Sequence, residues 1–203
     1  MVENIDWEFI KEKEGFELVG YVPDKNKSKS GVTIASGFDL GQRNEGDLQG
    51  LPPNIIQKLI PYLGIKGEEA NKKASNLTIT EDEANIINEF AKTKSLNKLS
   101  SDWENATGYS LNELSPAQAT ALASVGFQYG DMKSKTPKFW KYATSGNWDK
   151  AYNELMDFKD KYPTRRKSEG DLLFKEMGVP SDSMFGEAMQ LSDNNINTIR
   201  EGY

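Results

Sequence analysis

Glu14, Thr33 and Asp39 are the three side chains of this sequence whose types and spacing suggest a reaction. Two carboxyl groups across a cleft can split a glycosidic bond: one protonates the leaving oxygen, and the other orients a water or attacks directly. A threonine hydroxyl beside them can hold that water, and the chemistry requires no metal and no cofactor. Glu14 falls at the end of a short helical pattern, just before Gly15 and Phe16. There a side chain can leave the helix and face an apolar sheet edge, and burial favours the protonated carboxyl that a general acid needs. Thr33 and Asp39 lie on or just after a strand in "GVTIASGFDLG", where Gly37 and Gly41 flank the aspartate and can give the backbone close access to a bulky substrate. Each residue also has a plainer explanation. Thr33 suits any strand, Asp39 any turn or helix cap, and Asp24 in "VPDKNKS" is a natural turn residue after proline.

The inventory narrows the chemistry. The 203 residues contain no His and no Cys, which removes Ser-His-Asp and Cys-His nucleophiles, His-ligated zinc and disulfide frameworks, and leaves Asp, Glu, Lys and Tyr as acid-base groups. A net charge of -6 argues against a nucleic-acid partner, and the cation run from Lys25 to Lys29 is short. No apolar stretch reaches the roughly 18 residues a membrane span needs, and the charged first 20 residues do not resemble a secretory leader.

The elements that must position the three residues follow from pattern. Ile5, Phe9 and Ile10 have helical spacing, with Asp6 as cap and an expected end at Glu14 or Gly15. "FELVGYV" and "GVTIASGF", separated by the polar turn "PDKNKSKSG", read as a hairpin or small sheet. Ile55, Ile56, Leu59 and Ile60 form one face of a helix begun by prolines and interrupted by Pro61. Thr80 and Glu83 make a capping box for a long helix whose apolar face continues through Ile86, Ile87, Phe90 and Leu96. Ser115, Pro116 and Gln118 start a helix rich in alanine, expected to be the buried centre of a bundle. Two further helices break at Ser145-Gly146, Trp148 belongs to their core, and a last helix starts near Pro163. The order is α+β, with the sheet segregated near the N-terminus.

With those residues in view, the chain resembles the phage-type lysozymes. Their signature is a helix ending in Glu-Gly, a hairpin, and then Thr-Ile-Gly-x-Gly; here the counterparts are Glu14-Gly15 and Thr33-Ile34-Ala35-Ser36-Gly37. "FQYG" at 127–130, "GNWDKAYNEL" at 146–155 and "YPTRR" at 162–166 are similar to further family landmarks, in the family's order. Ala35 and Ser36 depart from the pattern. In ordinary phage enzymes the second carboxylate lies in the hairpin, where Asp24 stands, whereas in the pesticin-like bacteriocin branch it follows the Thr by six residues within "GFDLG". Thr33 and Asp39 fit the second arrangement without a gap, so Asp39 is preferred to Asp24.

The resemblance implies a lysozyme-like fold of one catalytic domain over 1–203, with a small sheet lobe at 14–50, a larger helical lobe at about 80–178, a long helix joining them and an extension at 179–203. It implies a muramidase acting on peptidoglycan, inverting, with Glu14 as acid and Asp39 and Thr33 positioning water. Arg165 matches the arginine that pairs with the catalytic Glu; Gln128 and Phe127 match residues at the cleft floor, although a polar cap and a core aromatic explain them equally. Peptidoglycan is anionic and this chain is acidic, so delivery to a target cell wall as a toxin or effector domain of a longer parent is expected, together with an immunity protein bearing a basic loop. A chitinase or chitosanase on the same fold, and an inactive glycan- or protein-binding module, are the rival readings.

Overall fold

The computed structural model describes residues 2–23 and 30–176. The tip of the hairpin with Asp24, and the expected extension at 179–203, lie outside the described residues.

The chain opens with helix α1 (Trp7–Lys11), whose cap is the Asp6 carboxylate accepting from the Phe9 N–H at 3.0 Å. This helix is shorter than its apolar spacing suggests. The last two bonds of the segment, Lys13 N–H to Ile10 and Glu14 N–H to Lys11, are of the tighter i to i−3 kind, so the chain uncoils before Glu14. Strands β1 (Glu17–Tyr21), β2 (Thr33–Ala35) and β3 (Phe38–Asp39) form an antiparallel sheet in the order β1-β2-β3. Its register pairs Tyr21 with Thr33 and Thr33 with Asp39, and a bulge interrupts β1 between Glu17 and Tyr21.

Helices α2 (Pro53–Leu59) and α3 (Gly67–Lys73) close over the sheet. Val32, Ile34, Leu40, Leu48, Ile55, Leu59 and Ile87 share one apolar core there. Helix α4 (Glu81–Thr107) starts at the Thr80–Glu83 capping box and stops at Gly108, whose φ of 78° is the left-handed conformation glycine adopts most easily. Its first turns put Ala84 and Ile87 into the sheet core, and its later turns put Leu99 and Trp103 into a second core. One straight apolar stripe cannot serve both, and Ile86, expected on the buried face, is 42% exposed.

The second core is helical. Helix α5 (Pro116–Tyr129) begins at the Ser115–Gln118 box and buries Ala119 through Gly126 without a gap, as its small side chains suggest. Around it pack α6 (Met132–Lys135), α7 (Pro137–Thr144), α8 (Trp148–Met156) and α9 (Pro163–Glu176). Ile5 and Ile10, flanking and within α1, join this second core rather than the sheet, which anchors the segment before Glu14 to the helical side. Trp148 stacks on Trp103 with ring centres 6.5 Å apart, as a core residue should. The architecture is α+β and lysozyme-like: a small sheet lobe and a larger helical lobe joined by α4.

Candidate active site

Asp39 is held by backbone. Its Oδ1 accepts from the N–H groups of Gly31 at 3.2 Å and Gly41 at 2.8 Å, which leaves Oδ2 without a partner among the described residues. Two donors converge on one oxygen because the Gly31 and Gly41 backbones touch: a Cβ on Gly31 would lie 2.3 Å from the Gly41 Cα. Gly41 therefore serves a backbone-to-backbone approach. Thr33, opposite Asp39 in the register, is only 2% exposed and donates to the Gly31 carbonyl at 3.3 Å.

Directly opposite residues of an antiparallel sheet share a face. Tyr21, Thr33 and Asp39 therefore form one rung across all three strands. The Tyr21 hydroxyl makes no hydrogen bond among the described residues. Its pKa is raised above the ordinary 10.0 by burial first, and then by the charges of Glu17 and Glu14, by Tyr162 and by Asp39. One half-buried phenol thus lies within the electrostatic reach of both candidate carboxylates. The sequence reading missed Tyr21; the signal was its place seven residues after Glu14, uninformative until the register is known.

Glu14 is held by a side chain from the far end of the sequence. Arg165, on α9, donates from Nη1 to Glu14 Oε1 at 2.7 Å. Its other two nitrogens are fixed as well: Nη2 donates to the carbonyl and hydroxyl of Ser124 on α5, both at 3.1 Å, and Nε donates to Glu169 Oε1 at 3.2 Å. Glu169 is fully buried, also accepts from the Ser124 hydroxyl at 2.5 Å, and lies 2.8 Å from Arg166 Nη1 as an ion pair without hydrogen-bond alignment. Burial pushes the Glu169 pKa up, against the pull of Arg166, the Ser124 hydroxyl and Arg165. Arg166 in turn lies 3.3 Å from Asp160. Asp160 accepts from Tyr129 at 2.6 Å, and burial together with that bond pushes the tyrosine up to about 12.

Of the other expected residues, Phe127 lines a cavity of about 420 Å³ together with Glu14, Trp7, Ser36 and Asn88. Gln128 turns to the buried network instead, its Oε1 accepting from Arg166 Nη2. Ala35 has a φ of 53°, a left-handed conformation that glycine adopts more easily, at the position where the phage-lysozyme signature has glycine. A cavity of about 470 Å³ beside Asn147, Trp148 and Glu176 holds none of the three candidate residues.

A small antiparallel sheet packed beside a larger helical lobe is the lysozyme-like fold class. Within it, the family model described as "Bacterial toxin homologue of phage lysozyme, C-term" (pesticin) matches residues 4–149. The chain belongs to that family. No curated protein matches it in sequence. No helix among the described residues is long and apolar enough to cross a membrane.

Proposed function

We propose that this protein hydrolyses the β-1,4 bond between N-acetylmuramic acid and N-acetylglucosamine in peptidoglycan, as the lytic part of an antibacterial toxin. The observation that carries the reading is the pair of anchored carboxylates, Glu14 on Arg165 and Asp39 on two backbone N–H groups, with Tyr21 in the same rung of the sheet as Asp39. Among the described residues each carboxylate has one oxygen hydrogen-bonded, Oε1 of Glu14 and Oδ1 of Asp39, which leaves the other for work on the substrate. Membership of a family of toxins homologous to phage lysozyme supports the substrate and the delivered role.

In this mechanism Arg165 fixes Glu14 through Oε1, and the second carboxyl oxygen delivers the proton to the leaving glycosidic oxygen. Asp39 takes a proton from water through Oδ2 while the Gly31 and Gly41 donors hold Oδ1 and stabilise its charge. Thr33 guides that water, and the Tyr21 hydroxyl donates to it or to the sugar between the carboxylates. Water attacking from the face opposite the acid inverts the anomeric centre.

Mass spectrometry and proton NMR of products from purified peptidoglycan test this. Fragments with a muramic acid reducing end, released first as the α-anomer, are expected. Fragments ending in N-acetylglucosamine, or faster cleavage of chitin oligomers, would replace this reading with another glycosidase. Binding to the wall without any bond cleavage would indicate a glycan-binding module.

A further inference from the structure

Next to the cavity that holds Glu14 lies a smaller one of about 260 Å³ that the mechanism does not use. It is bordered by Gly37, Phe38, Arg43, Lys94, Lys98 and Phe127, with no Asp or Glu in its lining. In a chain of net charge -6, a lining with three cations and no anion is out of keeping with the surface as a whole. Ser36, Asn88 and Phe127 line this cavity and also the one that holds Glu14, so the two cavities adjoin.

Its cations are incompletely satisfied. Arg43 lies over the Phe38 ring at 4.0 Å, and its Nε is buried without a hydrogen-bond partner. Burial lowers the Arg43 pKa, opposed by Asp47 and then Asp39, and a guanidinium stays charged throughout the working range. Lys94 spends one N–H on the Asp47 carbonyl at 2.7 Å, while a carboxylate oxygen of Asp47 caps Asn44 at 2.8 Å. Lys98 pairs with Asp102 at 2.6 Å, but Lys133 shares that carboxylate at 3.0 Å, so two ammonium groups divide one anion. A partly desolvated guanidinium stacked on an aromatic ring, with an unbonded Nε–H and ammonium groups beside it, suits a carboxylate.

We propose that this cavity is an anion subsite that takes a carboxylate of the peptide stem carried by muramic acid. The proposal rests on the reading of the chain as a peptidoglycan hydrolase and adds to it the part of the substrate that is selected. Chitin carries no carboxylate, so the subsite separates the two polymers at a place other than the scissile bond. It also gives an acidic protein a local attraction to an anionic wall, one that salt weakens.

Calorimetric binding tests the subsite independently of catalysis. The ligands are soluble glycan fragments freed of wall polymers, with peptide stems intact or removed, measured against wild type, Arg43→Gln and the double variant Lys94→Gln/Lys98→Gln. Wild type is expected to bind stem-bearing fragments about tenfold more tightly at low salt, and the preference shrinks at high salt. Arg43→Gln abolishes the preference and the double variant reduces it, with unchanged affinity for stem-free fragments. The double variant alters two surface side chains, so its result stands even where Arg43→Gln disturbs the packing on Phe38. Equal affinity of wild type for both fragments, or variants that weaken both equally, would overturn the subsite. Turnover of the polymer, measured in parallel, reports on the hydrolase reading separately: stem-selective binding without cleavage keeps the subsite and removes the hydrolase.

Discussion

On the sheet, Asp39 is fixed by two backbone N–H groups that two touching glycines bring to one oxygen. On the helical side, Glu14 is fixed by a guanidinium whose Nε and Nη2 donors are bound to Glu169 and Ser124 in the interior. The sheet positions its carboxylate through chain geometry within eleven residues, and the helical lobe positions its own through a charge network spanning residues 14–169. Backbone positioning costs no buried charge and tolerates no added atom at the glycines. Side-chain positioning tolerates local change at the surface, but leaves buried guanidinium groups exposed to the loss of any one anion.

Removal of Glu169 is the strongest way to break that contrast. Glu169→Ala strands Arg165 and Arg166 in the interior, and is expected to destabilise the protein by about 3–5 kcal/mol in denaturant melts. A loss below about 1 kcal/mol, the size of an exposed pair, would show that the network carries no such burden. Gly41→Ala acts on the other side. Its Cβ would stand 2.5 Å from the Gly31 Cα, so the two segments must part, at about 1–3 kcal/mol and with loss of both donors to Asp39. Here activity should fall further than stability explains, and a fully active, stable Gly41→Ala protein would contradict the backbone anchor.

Smaller changes sharpen the comparison. Tyr21→Phe removes a hydroxyl with no partner among the described residues, so the melting curve should hardly move while kcat falls about tenfold, the value of one hydrogen bond lost in the transition state. Because the phenol pKa is raised above 10.0, it remains a neutral donor below that pH, and the ratio of wild-type to variant kcat should be flat between about pH 4 and 9. A ratio that bends within that range would mean that Tyr21 acts through the titration of another group. Ala35→Gly is the mildest change: it relieves the left-handed φ of 53°, and gains under about 1 kcal/mol once the added freedom of the unfolded chain is subtracted. Circular dichroism melts at matched concentration measure it.

The same contrast explains what was legible in the sequence. Thr33, Asp39 and the helix caps at Thr80 and Ser115 are local features, written in residues a few positions apart, and the structure has them in the places expected. Arg165 beside Glu14 was foreseeable through family resemblance alone, since nothing across a sequence separation of 151 announces the contact. Glu169 gave no signal at all: among 31 acidic residues, its burial depends on Ser124 and two arginines meeting it in space. Tyr21 depended on a register that a bulge shifts, and Ile86 was misplaced because α4 turns its apolar residues toward two different cores.

The central claim is that Glu14 and Asp39 are the two working carboxylates. Release of reducing ends from purified peptidoglycan by wild type, Glu14→Gln, Asp39→Asn and Asp24→Asn, each verified as folded, tests it most directly. Losses of about 10²-fold or more in the first two variants, with Asp24→Asn near wild type, are the predicted result. An active Asp39→Asn protein beside an inactive Asp24→Asn protein would move the second carboxylate into the hairpin and contradict the site described.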